Sequence, residues 1–134
     1  MHWYSYRQNN SWGEYKLNKK VATTVFIEAP SVGDANRIAE ARGIYFNGVD
    51  LQLDCPHCGD RWSSGTAVDP DWFLAEIIGA VLNARHWDSS AVYVYPFGAK
   101  KPIDLAGCIE TDMHYFDFLR AWQNEYNLAE QGKE

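Results

Sequence analysis

Residues 21–27 form the sequence VATTVFI, and this stretch decides the fold because it is the clearest strand in the chain. β-Branched and aromatic residues favour extended backbone, and a near-continuous apolar run is typical of a strand buried inside a sheet. We therefore predict a central strand here. Ala29 and Pro30 end it, Ser31 is the predicted N-cap of a short helix, and Gly43 is its predicted stop.

The segments on either side of this strand predict a mainly antiparallel sheet. Residues 3–7 alternate and are rich in aromatics, and 14–17 can pair back against them after an Asn-rich turn. Residues 44–46 predict a brief strand. Further along the chain, 91–95 and 99–103 are expected to form a pair of strands joined by a turn.

A second helix is predicted to begin at Asp69 and Pro70, the N-cap and the first helical position, and to run to about Arg85. Its apolar residues recur at helical spacing: Leu74, Ile77, Ile78, Val81 and Leu82. A third, amphipathic helix is expected at about 112–129, followed by a frayed tail, 130–134.

These elements predict a single α+β domain over residues 1–134. It consists of an antiparallel sheet of four to six strands with two helices packed on one face, plus the C-terminal amphipathic helix. No internal repeat or linker divides the chain. The 15% share of aromatic residues exceeds what one small core needs, so self-association as a homodimer is an open alternative.

Composition excludes several classes of function. Twelve Lys and Arg against eighteen Asp and Glu give a net charge of −6, which argues against non-specific nucleic-acid binding. No apolar stretch approaches the length of a membrane span, and the N-terminal residues do not resemble a signal peptide. Three cysteines, an odd number, fit a disulfide scaffold poorly and a reducing cytoplasm better.

Cys55 and Cys58 enclose the sharpest local motif, CPHCG at 55–59. Two thiolates at this spacing can bind one zinc ion, and the Pro and Gly favour the tight turn that this geometry needs. The other two ligands would come from His57, His86, Cys108 and His114, whose spacing is not diagnostic. The alternatives are a tight turn with packed thiols or, with less support, a redox motif.

Two polar clusters are candidate binding residues. One follows the first strand and the other follows the cysteine motif; together they comprise Arg7, Gln8, Asn9, Asn10, Asp60, Arg61 and Trp62. Arg and Trp are enriched in binding hot spots, and the amides can hold a polar ligand. The structural alternative is an Asn-rich turn and a loop anchored to the core by Trp62.

Catalytic patterns are sparse. The sequence contains no nucleophile elbow, phosphate-binding loop, dinucleotide fingerprint or metalloprotease helix. A small hydrolytic or nucleotide-directed enzyme remains an alternative, and it would need a histidine within hydrogen-bond reach of Asp60.

Two motifs together resemble a family of small, uncharacterised bacteriophage-encoded proteins. These are YSYRQNNS at 4–11 and CPHCGDRW at 55–62, with a strand, a Ser-capped helix and a GIYFNGV segment between them. The resemblance covers about the first half of the chain. It implies a phage origin and the cytoplasm of the infected bacterial host, and it carries no activity.

The leading hypothesis is a non-enzymatic phage accessory protein that binds a host protein or a small ligand, in host takeover or counter-defence. The resemblance also implies that the two motifs lie together in the fold, as a ligand site or as a structural lock. A zinc-stabilised structural or virion-associated module is the other alternative.

Overall fold

The computed structural model describes residues 1–9, 15–73, 75–77, 79–80 and 92–104. Its elements, in chain order, are β1 (His2–Arg7), β2 (Thr24–Ala29), α1 (Val32–Ala41), β3 (Thr66–Val68), a 3-10 helix (Pro70–Trp72), β4 (Val92–Tyr95) and β5 (Ile103–Asp104). Helical backbone continues beyond the 3-10 helix at 73, 75–77 and 79–80. The predicted C-terminal helix, 112–129, and the tail, 130–134, lie outside the described residues.

The five strands of the described residues form one mixed sheet in the order β3-β1-β2-β4-β5. β2 occupies the centre, as its apolar run predicted. Three of the pairings are antiparallel, and β2 pairs with β4 in parallel. The α+β class is confirmed. The sheet is mainly antiparallel, as predicted, but the parallel pairing of β2 with β4 makes it a mixed sheet.

Two predicted strands are wrong, the strand predicted at 99–103 is displaced to Ile103–Asp104, and one strand is new. Residues 15–17 are not a strand; the Gln8 side chain binds the backbone of Lys16 that a strand would have paired. Residues 44–46 are irregular and lead into a turn in which Asn47 has a φ of 59°. β3 pairs with β1 over three residues, which is too short for alternation to predict.

The two helices lie on opposite faces of the sheet, not on one face as the sequence analysis expected. Ala35 and Ala39 of α1 pack in a core cluster with Val25 and Ile27 of β2. Phe73, at the start of the second helix, contacts the opposite face. Its ring lies 4.5 Å from Trp3, in a stacked arrangement, and 5.8 Å from Phe26. The reason is that β2 is buried on both faces and therefore needs cover on both.

The predicted helix starts are confirmed. Ser31 caps α1, with its Oγ accepting a hydrogen bond from the Asp34 N–H at 3.2 Å. The pKa of the Asp34 carboxyl is lowered, chiefly by its hydrogen bond from Arg37 and then by that from Ser31. Gly43, with a φ of 99°, follows the end of α1 as predicted. Asp69 accepts a hydrogen bond from the Asp71 N–H at 2.9 Å and begins the 3-10 helix.

Buried phenols make the fold sensitive to alkaline pH. Burial raises the pKa of Tyr95 to about 12 and also raises the pKa of Tyr6. Each hydroxyl donates a hydrogen bond, Tyr95 to the Lys20 carbonyl and Tyr6 to Asn36 Oδ1. The folded chain therefore keeps these protons at a pH where the unfolded chain has lost them.

We expect the free energy of unfolding to be constant with respect to these groups below about pH 10 and to fall as pH rises toward about 12. Urea unfolding across this range measures the effect. Tyr95→Phe should lose about 1 kcal/mol near neutral pH, because the hydrogen bond is gone, and should show a shallower alkaline decline. An unchanged alkaline slope in that variant would contradict the assignment.

Candidate functional site

The two polar motifs meet in the fold. The Asn9 N–H donates to the Arg61 carbonyl at 2.8 Å, and Arg61 Nη1 donates to Gln8 Oε1 at 2.9 Å. The Asn9 side chain donates to the Cys58 carbonyl at 2.6 Å. The end of β1 is therefore joined to the loop between α1 and β3 through backbone and side chains.

A buried ion pair lies at the centre of this junction. Arg61 and Asp54 are each only 2% exposed, and Arg61 Nε lies 3.7 Å from Asp54 Oδ1. Asp54 also accepts a hydrogen bond from the Arg61 N–H at 2.7 Å and one from the Tyr45 hydroxyl at 2.6 Å. Burial, and then the hydrogen bond to Asp54, raises the pKa of Tyr45. The loop passes so close that a Cβ at Gly48 would lie 1.8 Å from Asp54 Oδ2.

Gln8 connects this ion pair to the segment before β2. Its Nε2 donates to the Ala22 carbonyl at 3.0 Å and to the Lys16 carbonyl at 2.9 Å, while Oε1 accepts from Arg61. We call the group Gln8, Tyr45, Asp54 and Arg61 the polar lock. It fixes three separate parts of the chain relative to one another.

The remaining predicted site residues on this side also bind within the chain. Trp62 is 1% exposed and belongs to the core cluster. Asp60 accepts a hydrogen bond from the Val49 N–H at 2.9 Å. Asn10 lies outside the described residues, as do His86 and His114, two of the four histidines in the sequence. Gln8, Arg61 and Trp62 lie in the interior. Their geometry is therefore that of the structural alternative, in which the two motifs hold the fold together.

We expect Arg61→Ala and Trp62→Ala to destabilise the fold. Arg61→Ala leaves the Asp54 carboxylate buried without its cation, which costs about 3–5 kcal/mol. Trp62→Ala creates a large cavity, with a loss of about 3–5 kcal/mol. The matched control is Arg7→Ala, whose exposed ion pair is worth less than about 1 kcal/mol. Urea unfolding of the three variants measures these losses, and an Arg61→Ala variant as stable as Arg7→Ala would refute the lock.

The cysteine motif forms a tight turn. The Cys58 and Gly59 N–H groups donate to the Cys55 carbonyl at 3.2 and 3.1 Å, and Gly59 has a φ of 88°. Cys55 is buried and Cys58 is exposed. Among the described residues, no group of three or more His, Cys, Asp or Glu is arranged to hold a metal. Three candidate ligands, His86, Cys108 and His114, lie outside that part of the chain, so zinc binding stays a prediction.

Arg7 points away from the polar lock, into a groove on the opposite face of the sheet. Its Nη2 lies 3.0 Å from Glu76 Oε2, and the two side chains are 64% and 43% exposed. Two adjacent openings of about 550 and 500 Å³ share three lining residues, Arg7, Trp72 and Glu76. We call this the Arg7 groove.

The lining of the groove is mixed in chemistry. Ser5, Ser63 and Thr66 provide hydroxyl groups, and Asp69 provides a second carboxylate. Trp72, at 64% exposure, presents an indole to solvent at the edge of the groove. An exposed indole beside a guanidinium and carboxylates can bind through apolar contact and charge together.

Sequence reasoning missed Asp54, Trp72 and Glu76. Trp72 had a usable signal, because it falls outside the apolar stripe of the helix that Asp69 begins. Glu76 interrupts the same apolar segment. Asp54 gave little signal, since a carboxylate in a polar loop is usually solvated and nothing nearby identifies Arg61 as its partner.

The fold and the site define a small α+β protein with a mixed sheet, a buried polar lock and an open polar groove. A family model matches residues 1–103, and the chain belongs to that family, the domain of unknown function DUF7296. The lock and the groove both lie inside the matched region. No curated protein and no solved structure is significantly similar to the chain. The described residues contain no helix with the length and apolar character needed to span a membrane.

Proposed function

We propose that this protein is a non-enzymatic binding protein that contacts a protein partner through the Arg7 groove. The observation that carries the proposal is the exposed Trp72 indole beside the exposed Arg7–Glu76 ion pair. Trp and Arg are the residue types most often found at binding hot spots. Arg7 is the member of the predicted binding set whose charged group lies in the groove.

The shape of the groove favours a macromolecular partner over a small ligand. Small-molecule sites are concave and bury most of the ligand among apolar side chains. Here two adjacent openings share Trp72 in their linings, and polar groups from several segments line them. A segment of another protein can follow such a groove along its length.

The likeness of YSYRQNNS and CPHCGDRW to the phage-encoded family supports a more specific form of the proposal. In that form the partner is a bacterial host protein, bound in the cytoplasm of the infected cell during host takeover or counter-defence. The excess of acidic residues agrees with a protein partner rather than nucleic acid.

Site-specific photo-crosslinking tests the proposal. A photoreactive phenylalanine analogue at position 72 should crosslink to one bacterial protein in lysate, and Arg7→Ala should weaken this product. The matched control is the same analogue at Val32, which is 41% exposed. Val32 belongs to α1, the helix that packs against the other face of the sheet. Equal crosslinking from both positions, or none from position 72, would refute the groove as the binding surface.

A second candidate function, a zinc-stabilised structural or virion-associated module, is favoured by the tight turn that holds Cys55 and Cys58. It predicts a mass excess of one zinc ion in native mass spectrometry of the full chain. Cys58→Ser should abolish this excess and lower the melting temperature, because structural zinc stabilises the folded state. A native mass equal to the denatured mass would exclude it.

A further inference from the structure

Among the residues that the structure describes, β3 is an edge strand of the sheet. It is the terminal strand of the order, and β1 is its partner in the sheet. Thr66 and Ala67 are exposed, and Val68 is half-buried. The strand is short, at three residues, but it carries no proline, charged residue or bulge, which are other features with which proteins protect an edge from pairing.

The Arg7 groove runs along this edge. All three residues of β3 line it, together with Trp72 and Glu76. In the register of the sheet, Thr66 lies opposite Ser5, and Val68 lies opposite Trp3, whose ring contacts Phe73 on the groove face. A strand added beside β3 would therefore direct every second side chain toward the groove face, next to Trp72.

The charge of the groove selects one kind of side chain. Its lining holds the carboxylates of Asp69 and Glu76 against the single guanidinium of Arg7, a net charge of −1. Trp72 adds an exposed aromatic face, which attracts a cation. A lysine or arginine of a bound segment would complement both.

We infer that β3 accepts an extended segment of the partner protein as an additional strand, with a basic side chain of that segment held by Asp69, Glu76 and Trp72. This inference rests on the proposed function and names the form of its partner. Backbone hydrogen bonds to the edge supply affinity, and the groove supplies selectivity for the basic side chain.

A second copy of this chain is a less favourable occupant. Pairing β3 with β3 across a two-fold axis would bring two grooves, each of net charge −1, beside one another. Like charges across an interface oppose association, whereas a basic segment of another protein is attracted.

A random 12-residue peptide library, displayed and panned against the full chain, provides the probe. Selected peptides should contain Lys or Arg within a β-prone stretch, and the tightest is then synthesised. Its binding, measured by fluorescence anisotropy, should weaken about tenfold or more when alternate backbone amides are N-methylated, because a methylated amide cannot donate to the edge. Hydrogen exchange should show new protection at 66–68.

The double variant Asp69→Asn, Glu76→Gln should weaken binding of the same peptide about tenfold. Asn replaces the Asp69 cap without loss of the helix start. The matched control is Glu40→Gln, Asp50→Asn, which removes two exposed carboxylates outside the groove and should leave affinity unchanged.

Three outcomes would overturn the inference. The library could yield no binding peptide, the selected peptide could bind equally well when N-methylated, or the protein could form a dimer that dissociates in the Trp72→Ala variant. The first two leave the proposed function intact if position 72 still crosslinks to a bacterial protein. If the analogue at position 72 crosslinks to no bacterial protein, both the proposed function and this inference are wrong. The two failures are therefore distinguishable.

Discussion

The burial of the Arg61 guanidinium is the constraint on which much of this structure depends. A charge at 2% exposure is unfavourable unless an anion and hydrogen-bond acceptors compensate for the lost water. Asp54 provides the anion and Gln8 a hydrogen-bond acceptor, and each brings its own part of the chain into place. The loop can approach this closely because Gly48 lacks the Cβ that would collide with the Asp54 carboxylate. One side chain thus determines how β1, the loop and the entry to β2 fit together.

The second constraint is the two-sided burial of β2. Val25 and Ile27 need cover on one face and Phe26 on the other, so the two helices must lie on opposite sides of the sheet. On the second face Phe73 covers Trp3 and Phe26. Further along β1, Ser5 and Arg7 line the groove instead. The groove therefore follows from the position of the second helix.

The sequence predicted the elements whose cause is local and missed those whose cause is distant. Ser31 and Asp69 each cap the helix that directly follows them, so the local sequence alone identified both caps. The central strand was predictable because its burial is visible as an apolar run. The opposite-face arrangement was implicit in that run, since burial on both faces requires two covering layers. The pairing of Asp54 with Arg61 depends on the path of a loop, which no periodicity encodes.

The polar motif after β1 shows why a single prediction covered two different sites. Side chains alternate along a strand, so Arg7 and Gln8 point to opposite faces at the point where β1 ends. Gln8 enters the polar lock, while Arg7 enters the groove. These roles support each other, because the polar lock fixes the end of β1 and thereby holds Arg7 beside Glu76 in the unbound protein. A site ordered in advance loses less conformational entropy on binding, so in the proposed binding role the buried half of the motif contributes to recognition without touching the partner.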